Sequence, residues 1–164
     1  MTSFVKYSGA QVPPIDVLLD ESEREGFAFL RRLIVDWNSG KNRFDSSGET
    51  LLLAIENENV VGVGGLNIDP YANDAKVGRI RHVYVAKNHR RCAIGRRLVV
   101  ELLKLAKVSF REVLLNTDTV EGDLFYSSLG FTALPDDARN SHFVRPRWSN
   151  SEGREKNENW AADS

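Results

Sequence analysis

A chain of 164 residues with 41% hydrophobic and 27% charged side chains has the make-up of one ordinary folded domain, large enough to bury most of the surface that its unfolded form exposes. Its 22 basic and 23 acidic residues leave a net charge of −1, which removes any global attraction to nucleic acid or to an anionic membrane. The single Cys92 excludes an intrachain disulfide framework and a thiolate zinc cluster, and no apolar run approaches the roughly 18 residues of a membrane span.

The opening MTSFVKYSGA has no secretory hydrophobic stretch, so a cytoplasmic location is the expectation. A strand over residues 3–7 gives way to Pro13-Pro14, which ends any regular element before it. Leu18 and Leu19, then Phe27, Leu30, Leu33, Ile34 and Trp37, recur at helical spacing. The charged run 20–25 and Gly26 divide them, which predicts two helices meeting near Glu25-Gly26. Asn38-Ser39-Gly40 stops the second helix, and the polar stretch to Gly48 is a loop. Residues 51–56 and 60–68 predict an antiparallel hairpin joined by Asn57-Glu58-Asn59. Gly62, Gly64 and Gly65 in its second strand mark a bulge, a close approach by another backbone or a ligand, or a twisted strand packed under a helix.

After a turn-rich loop over 69–75, a strand to Val85, a helix from Ile94 to about residue 107 and a strand over 112–116 predict a β-α-β unit with parallel strands and a right-handed crossover. A short helix over 122–129, ended by Gly130, precedes a closing hairpin of 131–134 with 142–146. Residues 149–164 are expected to form a polar, flexible tail in which Trp160 alone offers much surface to bury, leaving one domain over 1–148.

The stretch 79–98, RIRHVYVAKNHRRCAIGRRL, joins a β-branched strand to an amphipathic helix through a basic loop. Ile94, Leu98, Leu102 and Leu105 fall on one helical face. The first turn of such a helix carries N–H groups without intrahelical acceptors and the positive end of the macrodipole, so the junction suits an anion. Small residues at Ala93 and Gly95 let that anion approach the backbone.

Two motifs here carry a resemblance. Arg90-Arg91-Cys92-Ala93-Ile94-Gly95 resembles the pyrophosphate loop Arg/Gln-x-x-Gly-x-Gly/Ala of the GNAT superfamily of N-acetyltransferases, with Ala93 where glycine is usual. An alanine methyl fits that position where the local backbone is already helical. About 30 residues on, Leu124-Phe125-Tyr126-Ser127-Ser128-Leu129-Gly130-Phe131 resembles the family's Phe-Tyr-x-x-Leu-Gly-Phe signature. The resemblance covers residues 51–143. It implies an α/β acyl-CoA N-acyltransferase fold, with a mixed central sheet of six to seven strands flanked by helices around a parallel β-α-β core. It also implies acetyl-CoA as co-substrate and direct attack, in a ternary complex, by a primary amine of a small molecule or an amino-acid-like or peptide acceptor. Dimers are frequent in that family.

The same resemblance assigns the pyrophosphate to Arg90, Arg91, Cys92, Ala93, Ile94, Gly95 and Arg96, with Arg90 at the family's basic position. It has the strand through Val83, Tyr84 and Val85 splay from the strand that follows, freeing backbone groups for the pantetheine amides and an N–H for the thioester oxygen. Tyr126 stands at the usual general-acid position, where a phenol remains protonated at neutral pH. Asn116 is a further candidate for the pantetheine arm. Thr119 and Gly122 stand where relatives often carry Asn and Ala, and Thr119 retains a hydrogen-bonding group. The acceptor site is expected between the helical region before Gly40 and the loop joining the last strands.

Where many relatives place a glutamate, this chain has Arg79, Arg81 and His82. His82 is either a general base or a hydrogen-bonded core residue. Arg79 and Arg81 either receive an acceptor carrying carboxylate or phosphate or pair with Asp or Glu on the neighbouring strand. His89 and His142 have no partners at ligand spacing, so no metal is expected, and Cys92 reads as a loop residue rather than a nucleophile.

Other readings fare less well. A P-loop needs Lys-Ser or Lys-Thr after its last glycine, and Gly95 is followed by Arg96-Arg97. A dinucleotide-binding domain needs an acid at the end of the next strand, where Asn116-Thr117 stands and Asp118 is a weak match. A nucleic-acid module could use His89-Arg90-Arg91 and Arg96-Arg97, but the near-neutral charge and lack of interleaved aromatics oppose it. An acyl-CoA-binding sensor without turnover is the remaining alternative.

Overall fold

The computed structural model describes residues 1–135 and 139–146; the tail expected at 149–164, with Trp160, lies outside them. The elements run β1 (Ser3–Tyr7), α1 (Asp16–Arg24), α2 (Phe29–Ser39), β2 (Thr50–Glu56), β3 (Asn59–Ile68), β4 (Val77–Val85), α3 (Ile94–Ser109), β5 (Glu112–Leu115), α4 (Val120–Ser128), β6 (Thr132–Ala133) and β7 (His142–Val144). They build one seven-stranded sheet in the order β1-β2-β3-β4-β5-β7-β6. The pairings are antiparallel except β4 with β5, which is parallel and flanks the α3 crossover. This is the mixed sheet with a parallel β-α-β core expected from the sequence.

Strand alternation sorts the core into two layers. Leu51 and Leu53 face α1 and α2, meeting Leu18, Leu30, Leu33 and Trp37, while Leu52 points the other way onto Leu98, Leu102 and Leu103 of α3. Each fully buried leucine of this kind contributes about 1.5–3 kcal/mol of hydrophobic stabilisation. The β2–β3 turn is tighter than expected. Asn57 (φ 51°) and Glu58 (φ 67°) are both left-handed, the signature of a two-residue type I′ turn, so Asn59 belongs to β3 and pairs with Glu56. Close approach explains Gly65: a Cβ there would lie 2.5 Å from Phe44 Cε2, so the glycine admits the ring that anchors the loop after α2.

Two irregularities in β4 matter most. Val63 pairs with Tyr84 but Gly65 with Arg81, so β4 spends one residue more than β3 over this interval. The bulge falls at His82, whose φ is +62°. On its other side β4 pairs with β5 only from Val77↔Glu112 to Arg79↔Leu114, and β5 ends at Leu115. The remainder of β4 therefore parts from its parallel neighbour. Among the described residues, no helix is long and apolar enough to cross a membrane.

Candidate active site

The direction of the freed backbone follows from one hydrogen bond. Ala86 N–H donates to Val61 O at 2.8 Å across the β3 side. Backbone direction alternates along a strand, so Val85 and Val83 turn their N–H and C=O groups toward the open side. Val85 O accepts there from Arg90 Nε at 2.9 Å. Val83 borders the cleft that the parting of β4 and β5 opens.

At the same end of the sheet, α3 begins. The first bond that closes its opening turn is Arg97 N–H to Ala93 O at 3.0 Å, which leaves the N–H groups of Ile94, Gly95 and Arg96 without intrahelical acceptors. Arg91 is exposed, Arg96 half-buried, and neither forms an ion pair among the described residues. Arg90 is differently employed. Its guanidinium holds both Glu25 carboxylate oxygens, at 2.8 and 3.1 Å, and stacks over Tyr84 at 5.1 Å. The Tyr84 hydroxyl donates to Glu21 and Glu25, and burial together with these carboxylates pushes the phenol pKa up. The Arg90 and Tyr84 bonds in turn hold Glu25 down at about 2. Arg90 thus braces the basic loop against α1 with its charge already countered. Cys92 is exposed and unpaired.

Tyr126, on α4, is packed edge-on against Phe125 and Phe131, and its hydroxyl has no hydrogen-bond partner among the described residues. Burial pushes this phenol upward, so it is protonated at neutral pH. The helix is held from behind. His142 Nε2 lies 2.7 Å from Asp123 Oδ1, and Nδ1 lies 2.7 Å from Ser141 Oγ, which also accepts from Thr117 N–H at the end of β5.

Between these parts lies a cleft of about 330 Å³, lined by Phe29, Arg32, Tyr71, Arg79, Ile80, Arg81, His82, Val83, Leu115, Asn116, Thr117, Tyr126 and Arg139. Among the described residues, four guanidinium groups line it and no carboxylate does. Arg79 and Arg139 stack over Tyr71 at 5.2 and 4.8 Å. His82 is buried, its ring lies edge-on to Phe44, and among the described residues neither ring nitrogen makes a hydrogen bond of full geometry, a backbone group of Phe29 giving its charged form only minor support. Burial first, then the charges of Arg81 and Arg32, push its pKa down to about 3, so the ring is neutral at physiological pH.

Residues 47–133 match the family model described as "Acetyltransferase (GNAT) domain". The chain belongs to the GNAT acetyltransferase family. It is similar in structure to a protein of Exiguobacterium sp. 255-15 assigned as an acetyltransferase, at 25% identity and TM-score 0.78 over 88% of this chain and 93% of that one. A GNAT-family acetyltransferase of Staphylococcus aureus Mu50 shares the fold at 19% identity and TM-score 0.69, over 90% of this chain and all of the other. So does an acetyltransferase of Trypanosoma brucei, at 19% and 0.62 over 85% and 98%. GNAT enzymes use acetyl-CoA, and the open side of β4 with the free N–H groups of α3 fits the amides and the pyrophosphate of such a molecule.

Within the GNAT frame, the departures of this chain acquire physical reasons. Ala93 is not helical, as the alanine would favour; it caps α3 at φ 64°, a left-handed conformation that costs an L-residue roughly 1–2 kcal/mol. Thr119 caps α4 by accepting from Gly122 N–H at 2.9 Å. An alanine at 122 would collide with Thr117 Oγ1, so Thr117 and Gly122 form a matched pair. Asn116 is exposed at the cleft rim. Sequence reasoning missed Arg32, Tyr71 and Arg139 as individual cleft residues. It treated Arg79 and Arg81 alike, although Arg79 pairs with Asp69 just past β3 and Arg81 pairs with no carboxylate among the described residues.

Proposed function

We propose that this chain is an acetyl-CoA-dependent N-acetyltransferase acting on a primary amine of a small-molecule, amino-acid-like or peptide acceptor by direct attack in a ternary complex. The observation that carries the reading is the meeting, at one end of the sheet, of an unpaired β4 edge with an α3 N-terminus that has three unfilled N–H groups. Bound acetyl-CoA supplies a thioester activated toward amines. The N–H groups of Ile94, Gly95 and Arg96, with the side chains of Arg91 and Arg96, hold the pyrophosphate. The loop of Arg90, Cys92 and Ala93 shapes that cradle.

The backbone of Val83 and Val85 aligns the pantetheine arm, with Tyr84 anchoring the strand beneath and Asn116 and Thr119 at the far rim. An N–H of this strand faces the carbonyl oxygen as charge develops on it. Tyr126 donates its phenolic proton to the departing sulfur. The arginine-rich cleft disfavours an ammonium, which raises the share of neutral, nucleophilic amine. His82, too weakly basic to hold the proton, accepts a hydrogen bond from that amine and orients its lone pair. The proton released from nitrogen on attack leaves through solvent and replaces the one that Tyr126 gives to sulfur.

Calorimetric titration of acetyl-CoA and CoA into wild type and Gly95→Glu tests the cofactor assignment. Micromolar binding, about −8 kcal/mol, is expected for wild type and is lost in the variant. Thiol release with an amine panel then tests turnover. A folded wild type that ignores both CoA species overturns the reading, and binding without turnover on any amine supports a CoA-binding sensor instead.

A further inference from the structure

The cleft arginines are not equivalent. Arg79 is committed to the fold: its Nε donates to Asp69 Oδ1 at 2.5 Å, its other nitrogens reach Arg139 O and Asn140 Oδ1, and both members of the ion pair are buried. Arg81, two residues along the same strand, meets among the described residues only the Asn67 amide oxygen, at 3.4 Å. It is half-buried and burial pulls its pKa down, yet among the described residues no carboxylate contacts it; Asp36 of α2 exerts a field from beyond ion-pair distance. Arg32, one helical turn before Asp36, lines the same cleft, is exposed, and forms no ion pair among the described residues. A guanidinium withdrawn from water without a counter-charge is costly, and its planar fork matches an oxyanion.

A second observation points to a ligand in the same place. His82 is only 8% exposed and lines this cleft, and neither ring nitrogen makes a hydrogen bond of full geometry among the described residues, a backbone group of Phe29 giving its charged form only minor support. Buried polar atoms are rarely left so. We propose that the acceptor is an amine that also carries an oxyanion, carboxylate or phosphate, held by Arg81 and Arg32 while its amino group meets His82 beside Val83. The proposal rests on the acetyltransferase reading above and adds the acceptor class. The same field discriminates: a polyamine brings further positive charge into a cleft that, among the described residues, has four guanidiniums and no carboxylate.

The test uses matched probes, glycine with glycinamide and phosphoethanolamine with ethanolamine, together with spermidine. Two readouts are taken on the full chain: kcat/KM from thiol release with acetyl-CoA, and direct binding of each amine by saturation-transfer NMR with and without CoA. Each anionic amine is expected to exceed its neutral partner by roughly tenfold or more, and the pair with the larger ratio distinguishes carboxylate from phosphate. Arg32→Ala, at an exposed helix position, and Arg81→Ala are each expected to bring that ratio within about threefold, with Arg81→Lys recovering part of it. Melting curves establish that the variants fold. An equal or stronger response to the neutral amines or spermidine, or no response to any anionic probe in either readout, overturns the proposal. Failure to bind CoA overturns the acetyltransferase reading instead, and the NMR arm still decides the acceptor class.

Discussion

The two sides of the cleft are built from different material. On the side of α3 the groups proposed to hold the cofactor are backbone: N–H groups of Ile94, Gly95 and Arg96, and the outward edge of β4 at Val83 and Val85. On the side proposed for the acceptor they are side chains drawn from α2, the loop after β3, β4 and the segment before β7, namely Arg32, Tyr71, Arg81 and Arg139. Backbone groups depend on local geometry and tolerate most side chains, so they can serve one constant ligand. A set of arginines depends on tertiary packing and can be changed one residue at a time, which suits a variable acceptor.

Tyr126→Phe gives the largest effect. The hydroxyl has no structural partner among the described residues, so its removal leaves the Phe125 and Phe131 contacts in place. With the proton donor gone, kcat is expected to fall about 100-fold while calorimetry reports unchanged CoA affinity. A kcat within threefold of wild type would leave Tyr126 a packing residue and break the division of labour at α4.

His82→Asn probes the acceptor side through pH. Asparagine tolerates the left-handed φ of +62° and does not titrate. The folded-state pKa of His82 is pushed down to about 3 from an ordinary value of 6.5, chiefly by burial. The unfolded chain therefore takes up its proton first as pH falls, and wild-type stability declines from about pH 6.5 downward. That slope approaches one proton, or about tenfold in the folding constant per pH unit. Glu25, held at about 2 by Arg90 and Tyr84, adds a loss of its own only below its ordinary 4.5. Denaturant midpoints between pH 6.5 and 4.5 should thus slope in wild type and flatten in the variant. Parallel profiles would show that the ring is not withheld from protons.

Sequence legibility divides along the same line. The strand, basic loop and helix around Ala93, and the Tyr126 segment, are encoded within short windows of hydrophobic period and small residues, so their positions on the fold could be read directly. The parallel pair followed from the same periodicities, while the mixed sheet of six to seven strands was implied by the family resemblance. Tertiary partners were not so readable. Glu25 reaches Arg90 across 65 residues, and Asp69 takes Arg79 while leaving Arg81, a choice that hinges on where β3 ends rather than on composition. The Thr117–Gly122 fit appears only once α4 is folded back on the end of β5.

Gly95→Ala sharpens the backbone half of the comparison by separating fold from ligand. A Cβ at 95 would sit 3.5 Å from Val85 Cγ2 and 3.7 Å from Phe125 Cζ, ordinary contact distances. Alanine also favours a helix over glycine by up to about 1 kcal/mol. The melting temperature is expected to hold or rise, while the methyl obstructs an anion over the first turn and weakens CoA binding about tenfold. Loss of both together would mean that the glycine serves packing.

Ala93→Gly carries the smallest effect and the clearest sign. In a right-handed first turn, exchanging alanine for glycine would destabilise by up to about 1 kcal/mol. Here residue 93 caps α3 at φ 64° and ψ 13°. The roughly 1–2 kcal/mol that an L-residue loses there is recovered by glycine, less about 0.4–1 kcal/mol for its freer unfolded chain. A net stabilisation of about 0.5–1 kcal/mol is expected in urea melts, with CoA binding two- to threefold tighter as the methyl leaves the loop. Destabilisation would mean that the cap is right-handed in solution. The three N–H groups would then point elsewhere, and the cradle on this side of the cleft would have to come from Arg91 and Arg96 side chains, as the acceptor side comes from Arg32 and Arg81.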